Sequence, residues 1–256
     1  MTSAHVDSLA AFLPPDWLEY ELVVAHPGTE WLSTADVDTL FDSNTVDVSH
    51  LEVPDVDQET LFLFHNEEVV TASPTWKLID AIAEVDTMIR TGSAESLESV
   101  ALPSVLGELD EVPFAAAGPD DSSLKLLFTT ISRHIEARAI EVGDGQLRAG
   151  FQRLSRLQLA DEGHTRAVYD HLADTDVDVH VYGRPDWTPP ASLGTTMHGG
   201  YTEDFLRNWF VVFRSADEGV SAAFLAHDHG RGAWRGHWTF QDDRVGQINR
   251  YLEEHL

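Results

Sequence analysis

Residues 122–142 read SSLKLLFTTISRHIEARAIEV, and the fold turns on this stretch. Leu124, Leu127, Phe128, Ile131, Ile135 and Val142 recur at the three- and four-residue spacing of one α-helix face, which predicts a helix from Ser122 to Val142. Leu126 and Ile140 fall on the opposite side. A helix apolar on two sides has to be covered by two surfaces instead of lying on an exterior. Gly143 stops it, as a residue tolerant of the left-handed conformation at a helix C-terminus.

Towards the C-terminus, a Gly143-Asp144-Gly145 turn leads into QLRAGFQRLSRL (146–157), whose period is mixed. A helix carrying Thr165, Val168, Tyr169 and Leu172 follows, then an alternating strand from Val177 to Tyr182. That order is a βαβ-like unit. Strands near Asn208 to Arg214, Ser221 to Asp228 and Trp234 to Phe240 come next. A last amphipathic helix turns Val245, Ile248, Leu252 and Leu256 inward.

Towards the N-terminus, Glu19 to Ala25 reads as a strand. Leu61 to Phe64 and Glu68 to Ala72 flank an Asn66-Glu67 turn as a hairpin. A helix is predicted next, with Ser73 as cap, Pro74 in the first position, and Leu78, Ile79, Ile82, Val85 and Ile89 as its stripe up to Gly92. The fold class is therefore α/β (α+β), a mixed β-sheet flanked by helices with a smaller N-terminal α/β region. A Gly118-Pro119 break divides residues 1–118 from 119–256.

Composition narrows the function. The 256 residues carry 44 Asp plus Glu against 16 Lys plus Arg, a formal charge of −28, and the only lysines are Lys77 and Lys125. The excess is spread along the chain, as expected of a surface adapted to concentrated salt, where counterions screen self-repulsion. Such a surface cannot broadly neutralise phosphates, which argues against direct nucleic-acid binding. There is no cysteine, so disulfides, thiolate nucleophiles, cysteine zinc clusters and thioether-linked chromophores are excluded. Apolar runs are strand-sized, arguing against membrane insertion, and the N-terminus lacks a secretion signal's basic flank, so a cytoplasmic location is expected.

Several polar residues stand out. Arg138 lies within the arc of Leu127, Ile131 and Ile135. It should be partly buried, meeting a carboxylate, backbone carbonyls or a ligand anion, unless its stem reaches solvent. The 148–156 segment gathers Arg148, Arg153 and Arg156 around Gln152 and Ser155, which suits an anion or an acidic partner face, with a salt-bridged helix start as the plainer alternative. Gly143, Gly145 and Gly150 are spaced GxGxxxxG, which departs from the dinucleotide fingerprint. His227 and His229, with His237, are the nearest approach to a metal ligand set, although His and Asp are ordinary at a loop edge. His134 loosely resembles a phosphoacceptor, but no ATP-binding glycine boxes accompany it. GxSxG, P-loop and HExxH motifs are absent, so no catalytic residues are assigned. Most of the C-terminal aromatics belong to a core; those near loops, particularly Trp187 and Trp234, could wall a small-molecule pocket or simply close the sheet edge, and Tyr182 and Trp187 are the aromatic candidates for ligand contact.

LLFTTISRHIEARAIEVGDGQLRAGFQRLSRL (126–157), TRAVYDHL (165–172), VDVHVYGRPDW (177–187), MHGGY (197–201) and NWFVVF (208–213) together resemble the DICT domain. This is the sensory module named for diguanylate cyclases and two-component systems, here in its haloarchaeal form. The most specific elements are IS[RK]xIExRA, matched by Ile131, Ser132, Arg133, Ile135, Glu136, Arg138 and Ala139, and FQRxS, matched by Phe151, Gln152, Arg153 and Ser155. The resemblance covers roughly Ser122 to Leu256, and LFLFHNEEVVTASP (61–74) and LPSVLGELD (102–110) are similar to the part preceding DICT in haloarchaeal homologues. It implies a non-enzymatic sensory or regulatory role and no established cofactor. Arg133, Glu136, Arg138 and the Phe151 to Arg156 segment are the expected shared surface for a ligand or partner. With no cyclase, kinase or receiver domain recognised in the chain, output is expected to pass to separate signalling proteins: a histidine kinase, receiver or transducer component. An accessory subunit of a transcription or cell-shape regulator, and an enzyme with a His/Asp/Arg pocket, are the competing classes.

If the acidic surface is a salt adaptation, removing salt should partly unfold the chain. A near-UV circular dichroism spectrum unchanged at low salt would contradict this.

Overall fold

A computed structural model describes residues 7–14, 20–28, 34–41, 46–91, 102–116, 122–158, 164–188 and 190–256. Two mixed sheets share one core. The smaller contains β1 (Tyr20–His26), β2 (Val46–Glu52), β3 (Thr60–His65) and β4 (Glu68–Pro74) in the order β2-β1-β3-β4, with β1 and β2 parallel. Asn66 and Glu67 both adopt positive φ, 52° and 65°, as the primed two-residue turn of a hairpin requires. Helix α1 (Thr34–Phe41) follows β1, and α2 (Thr75–Thr91) follows β4. Ser73 and Pro74 finish β4 and do not open the helix; Thr75 donates its N–H to the Glu59 carbonyl instead. Leu78, Ile82 and Val85 are buried as expected and Ile79 is half-buried, while Gly92 and the Ile89 side chain lie outside the described residues.

The larger sheet has seven strands: β5 (Phe114–Ala116), β6 (Gln146–Arg153), β7 (Asp178–Arg184), β8 (Thr196–Gly199), β9 (Asn208–Arg214), β10 (Ala222–Gly230) and β11 (Ala233–Thr239). Their order is β5-β11-β10-β9-β6-β7-β8, in which β6, β7 and β8 run parallel and the other pairings are antiparallel. Short α3 (Ser104–Glu108) precedes β5, and α5 (His164–Leu172) makes the crossover between β6 and β7. Short α6 (Glu203–Arg207) leads into β9, and α7 (Asp242–His255) ends the chain. The expected βαβ order is thus present. The 146–157 segment is strand β6 followed by a 3-10 turn (Leu154–Leu157), so the alternative of a helix start does not hold. The Gly118-Pro119 break lies outside the described residues. Just upstream of it, β5 pairs with β11.

Helix α4 (Ser122–Val142) is the axis of the molecule. Leu127, Phe128, Ile131 and Ile135 are buried, and the helix packs on β9 and β10 with one side and on α1, α2 and α5 with others. One core runs from Leu22 and Leu61 of the small sheet through α2 and α4 to Phe151, Val211 and Phe224 of the large one. On the opposite face of the large sheet, Val245, Ile248 and Leu252 of α7 close a second cluster with Tyr182, Phe210 and Leu225. No helix among the described residues is long and apolar enough to cross a membrane.

Gly150 in β6 shows how closely this second layer is packed, because a Cβ there would overlap the Phe210 ring. Gly150→Ala should lower stability by about 1–3 kcal/mol, read as a fall in the denaturant midpoint. An unchanged midpoint would show that Phe210 moves aside freely.

Candidate functional site

Polar groups lie on both sides of strand β6 and at its end. On the α4 face, Arg133 forms a buried ion pair with Glu136 one turn along the helix and donates from Nη2 to Thr165 Oγ1 of α5 at 2.8 Å. Burial pushes the Glu136 carboxyl up, and the Arg133 guanidinium offsets part of that. The Tyr169 hydroxyl faces the same carboxylate without closing a hydrogen bond of ordinary geometry. Its own pKa is driven well above the usual value by burial and then by Glu136. The Phe151 ring meets Tyr169 edge-on, with centroids 5.6 Å apart. This group fastens α5 and β6 to α4.

On the α7 face, Arg148 is a buried hub. Its Nε donates to Asn249 Oδ1 at 2.9 Å, its Nη2 to Glu253 Oε1 at 2.8 Å, and its Nη1 to the Tyr182 hydroxyl. The Tyr182 ring stacks on His198 at 4.4 Å, and His198 Nε2 lies 2.9 Å from His180 Nδ1. His180 Nε2 in turn lies 2.9 Å from Asp178 Oδ2, and that bond holds the Asp178 carboxyl below its usual range. Burial, then His180, keeps His198 below the usual imidazole value. Side chains from β6, β7, β8 and α7 form one continuous polar chain.

At the C-terminal ends of the parallel strands the backbone changes register. Gly150 pairs with Tyr182 and Arg153 with Arg184, so Phe151 and Gln152 face Gly183 alone in a β-bulge. Gln152 takes φ 61°, a left-handed conformation unusual for a residue with a side chain. Gly183 lets the strands approach closely here, because a Cβ would come within 3.2 Å of the Arg153 backbone, tighter than an ordinary contact. The bulge sets two arginines directly opposite each other, an arrangement that ordinarily destabilises a sheet. Arg184 reaches Asp186 only at 3.5 Å, whereas the Ser155 N–H and hydroxyl each donate to Asp186 at 2.9 Å. Although burial pushes the Asp186 carboxyl up, these bonds outweigh it and hold it below its usual range. Arg153 is exposed and Arg156 half-buried. Among the described residues neither guanidinium has an acceptor, nor does the Gln152 amide have a partner.

The residues singled out in the sequence thus occupy four places. Gln152, Arg153, Ser155, Arg156 and the half-buried Trp187 gather at the strand ends, and Arg133, Glu136 and Phe151 lie inside the α4 layer. Tyr182 belongs to the Arg148 hub behind the sheet. Arg138 is half-buried and donates to the Gly219 carbonyl, away from the others. Among the described residues no three His, Asp or Glu side chains converge as metal ligands; His227 bonds to Asn208, and His237 is buried near Glu111. Arg184, Asp186, Thr165 and Asn249 were not legible beforehand, because strand register and crossover packing decide their neighbours.

Residues 103–229 match the family model of DICT, described as the sensory domain in diguanylate cyclases and two-component systems. The match opens just before α3 and closes inside β10. No curated protein matches the chain, and no solved structure does.

Replacing Glu136 alone by Leu should strand the Arg133 cation in the core and cost about 3–5 kcal/mol, whereas Arg133→Met with Glu136→Leu should recover most of it. Equal losses in the single and double variants, by chemical denaturation, would refute this account of the pair.

Proposed function

We propose, for a chain that contains a DICT sensory domain and so has a sensory role in signal transduction, that the strand-end arginines receive an anionic ligand or an acidic face of a protein partner. The observation that carries this reading is the bulge at Gln152. It places Arg153 opposite Arg184 beside Arg156, and leaves the Gln152 amide without a partner among the described residues, in a chain of net charge −28. Cations are scarce here, and three of them stand together where, among the described residues, Asp186 is the carboxylate bonded at the cluster. The position also fits, since open sheets with parallel strands bind ligands beyond the carboxyl ends of those strands, where the order reverses. In this sheet the chain moves outward from β6 to β8 and then returns to β9 on the other side of β6.

In this reading the protein is a non-catalytic cytoplasmic sensor. Occupancy of the strand ends shifts a modest conformational equilibrium, and the signal, whether light, redox or cell state, passes to a histidine kinase, receiver or transducer component. The route inward is short: β6 joins the bulge to the Arg133 pair on one face and to the Arg148 hub on the other.

Arg153→Ala with Arg156→Ala is expected to abolish co-purification of the signalling partner. Unfolding stability should fall by no more than about 1 kcal/mol, since Arg153 is exposed and the half-buried Arg156 has no acceptor among the described residues. The same set of co-purifying proteins from both chains would overturn the proposal, and lost turnover of a substrate with unchanged partners would favour an enzyme.

A further inference from the structure

Residues 8–14 cross the α7 face of the large sheet as a strap. One 3-10 turn (Leu9–Phe12) sinks Leu9 and Phe12 among Tyr182, Phe205, Phe210, Val245, Ile248 and Tyr251, and both side chains are buried. Phe12 meets the Tyr251 ring edge-on at 5.6 Å, and the Arg244 guanidinium covers its ring at 5.2 Å. Three polar clamps hold the backbone. The Leu9 N–H donates to Asp204 Oδ1 at 3.1 Å, Arg244 Nη2 donates to the Phe12 carbonyl at 2.7 Å, and Arg235 Nη2 donates to the Pro14 carbonyl.

Both arginines bind main-chain oxygens, which every polypeptide has, so the groove's selectivity comes from two apolar sockets three residues apart. The clamp also rests on an imperfect floor. Arg244 Nε stands 3.4 Å from Glu111 Oε2 without completing a hydrogen bond, and Glu111 Oε1 and the buried His237 Nδ1 have no partner of ordinary geometry among the described residues. The Arg244 and Glu111 side chains are partly open to solvent, 26% and 23% exposed. The strap turn is a single one, and no side chain caps it at Ser8. A short segment of one uncapped turn over a partly solvated polar layer belongs to the low-stability end of a fold.

We infer that this groove is a docking surface for a partner segment carrying two apolar side chains at positions i and i+3, and that residues 8–14 fill it in cis as a displaceable strap. The seated segment defines the partner's chemistry: Leu and Phe anchors on an uncapped turn, with carbonyl oxygens offered to Arg244 and Arg235. The groove lies across the sheet from α4 and is separate from the arginine cluster proposed to receive the signal, so it stands or falls independently of that proposal.

The experiment uses the full chain and a fluorescent peptide of residues 5–15, HVDSLAAFLPP. Leu9→Ala with Phe12→Ala in the chain weakens the strap and leaves the groove intact. Because apparent affinity scales with the fraction of open groove, the variant should bind the peptide at least about tenfold more tightly than the parent chain. The same peptide with both anchors changed to Ala should not bind. Absence of peptide binding to either chain would overturn the inference, as would loss of the large sheet's cooperative unfolding in the variant, since the strap would then be part of the core. Hydrogen exchange supplies a check on the unaltered chain: backbone amides of 9–13 should exchange well before those of β10, and equal protection would count against displacement. A strap-exchanged dimer seen by light scattering, without peptide binding, would assign the groove to a second copy and refute the partner reading.

Discussion

Burying a helix on more than one side leaves it little surface on which to discard a charge, and in its covered part α4 meets that constraint with one internal ion pair. Arg133 and Glu136 sit within a helix that supports the large sheet on one side and α1, α2 and α5 on others. Their mutual charge, with Thr165, offsets a desolvation that neither could bear alone. The core of both sheets runs through the same helix. Loss of one partner would therefore be felt in both sheets, and the pair fixes which face of α4 meets the βαβ crossover.

Much of this was legible from residue spacing. The bounds of α4 and β9, the 66–67 hairpin turn, the inward face of α7 and strands β7, β9, β10 and β11 follow from periodicity, because each of those elements buries a recognisable share of its side chains, whereas the mostly exposed four-residue β8 was missed. Strand β6 was not legible either. Residues 147–152 are buried without interruption, since α4 covers one face and α6 with side chains of α7 the other, so the alternation that normally betrays a strand is missing. Arg148 and Gln152 add to the ambiguity, because buried polar residues in a central strand read as surface until their partners on α7 and the bulge are known. The strand-end cluster was half visible: Arg153, Ser155 and Arg156 are neighbours in the chain, whereas Arg184 joins them only through a pairing register that the bulge alters. The strap was hidden for a related reason, since Leu9 finds its socket beside Asp204 and Phe12 beside Arg244, far along the chain.

The arginines divide into two kinds of work. Arg133, Arg148, Arg235 and Arg244 tie segments together from within, each ending on a carboxylate, an amide, a hydroxyl or a backbone oxygen. Arg153 and Arg156 have no such acceptor among the described residues. In a chain with so few cations that contrast is itself informative, because a buried guanidinium can be explained by architecture and an open cluster cannot.

Strand β11 lies beyond the matched stretch and yet stands between β10 and β5, with α7 sealing the sheet behind it. The stretch recognised by sequence is therefore smaller than the object that folds. A fragment cut at the recognised limits would leave β10 an open edge, separate β5 from the strand it pairs with and bare Leu225 and Val212 to water. Inheritance and cooperativity draw different borders in this protein, and a soluble minimal piece has to follow the second.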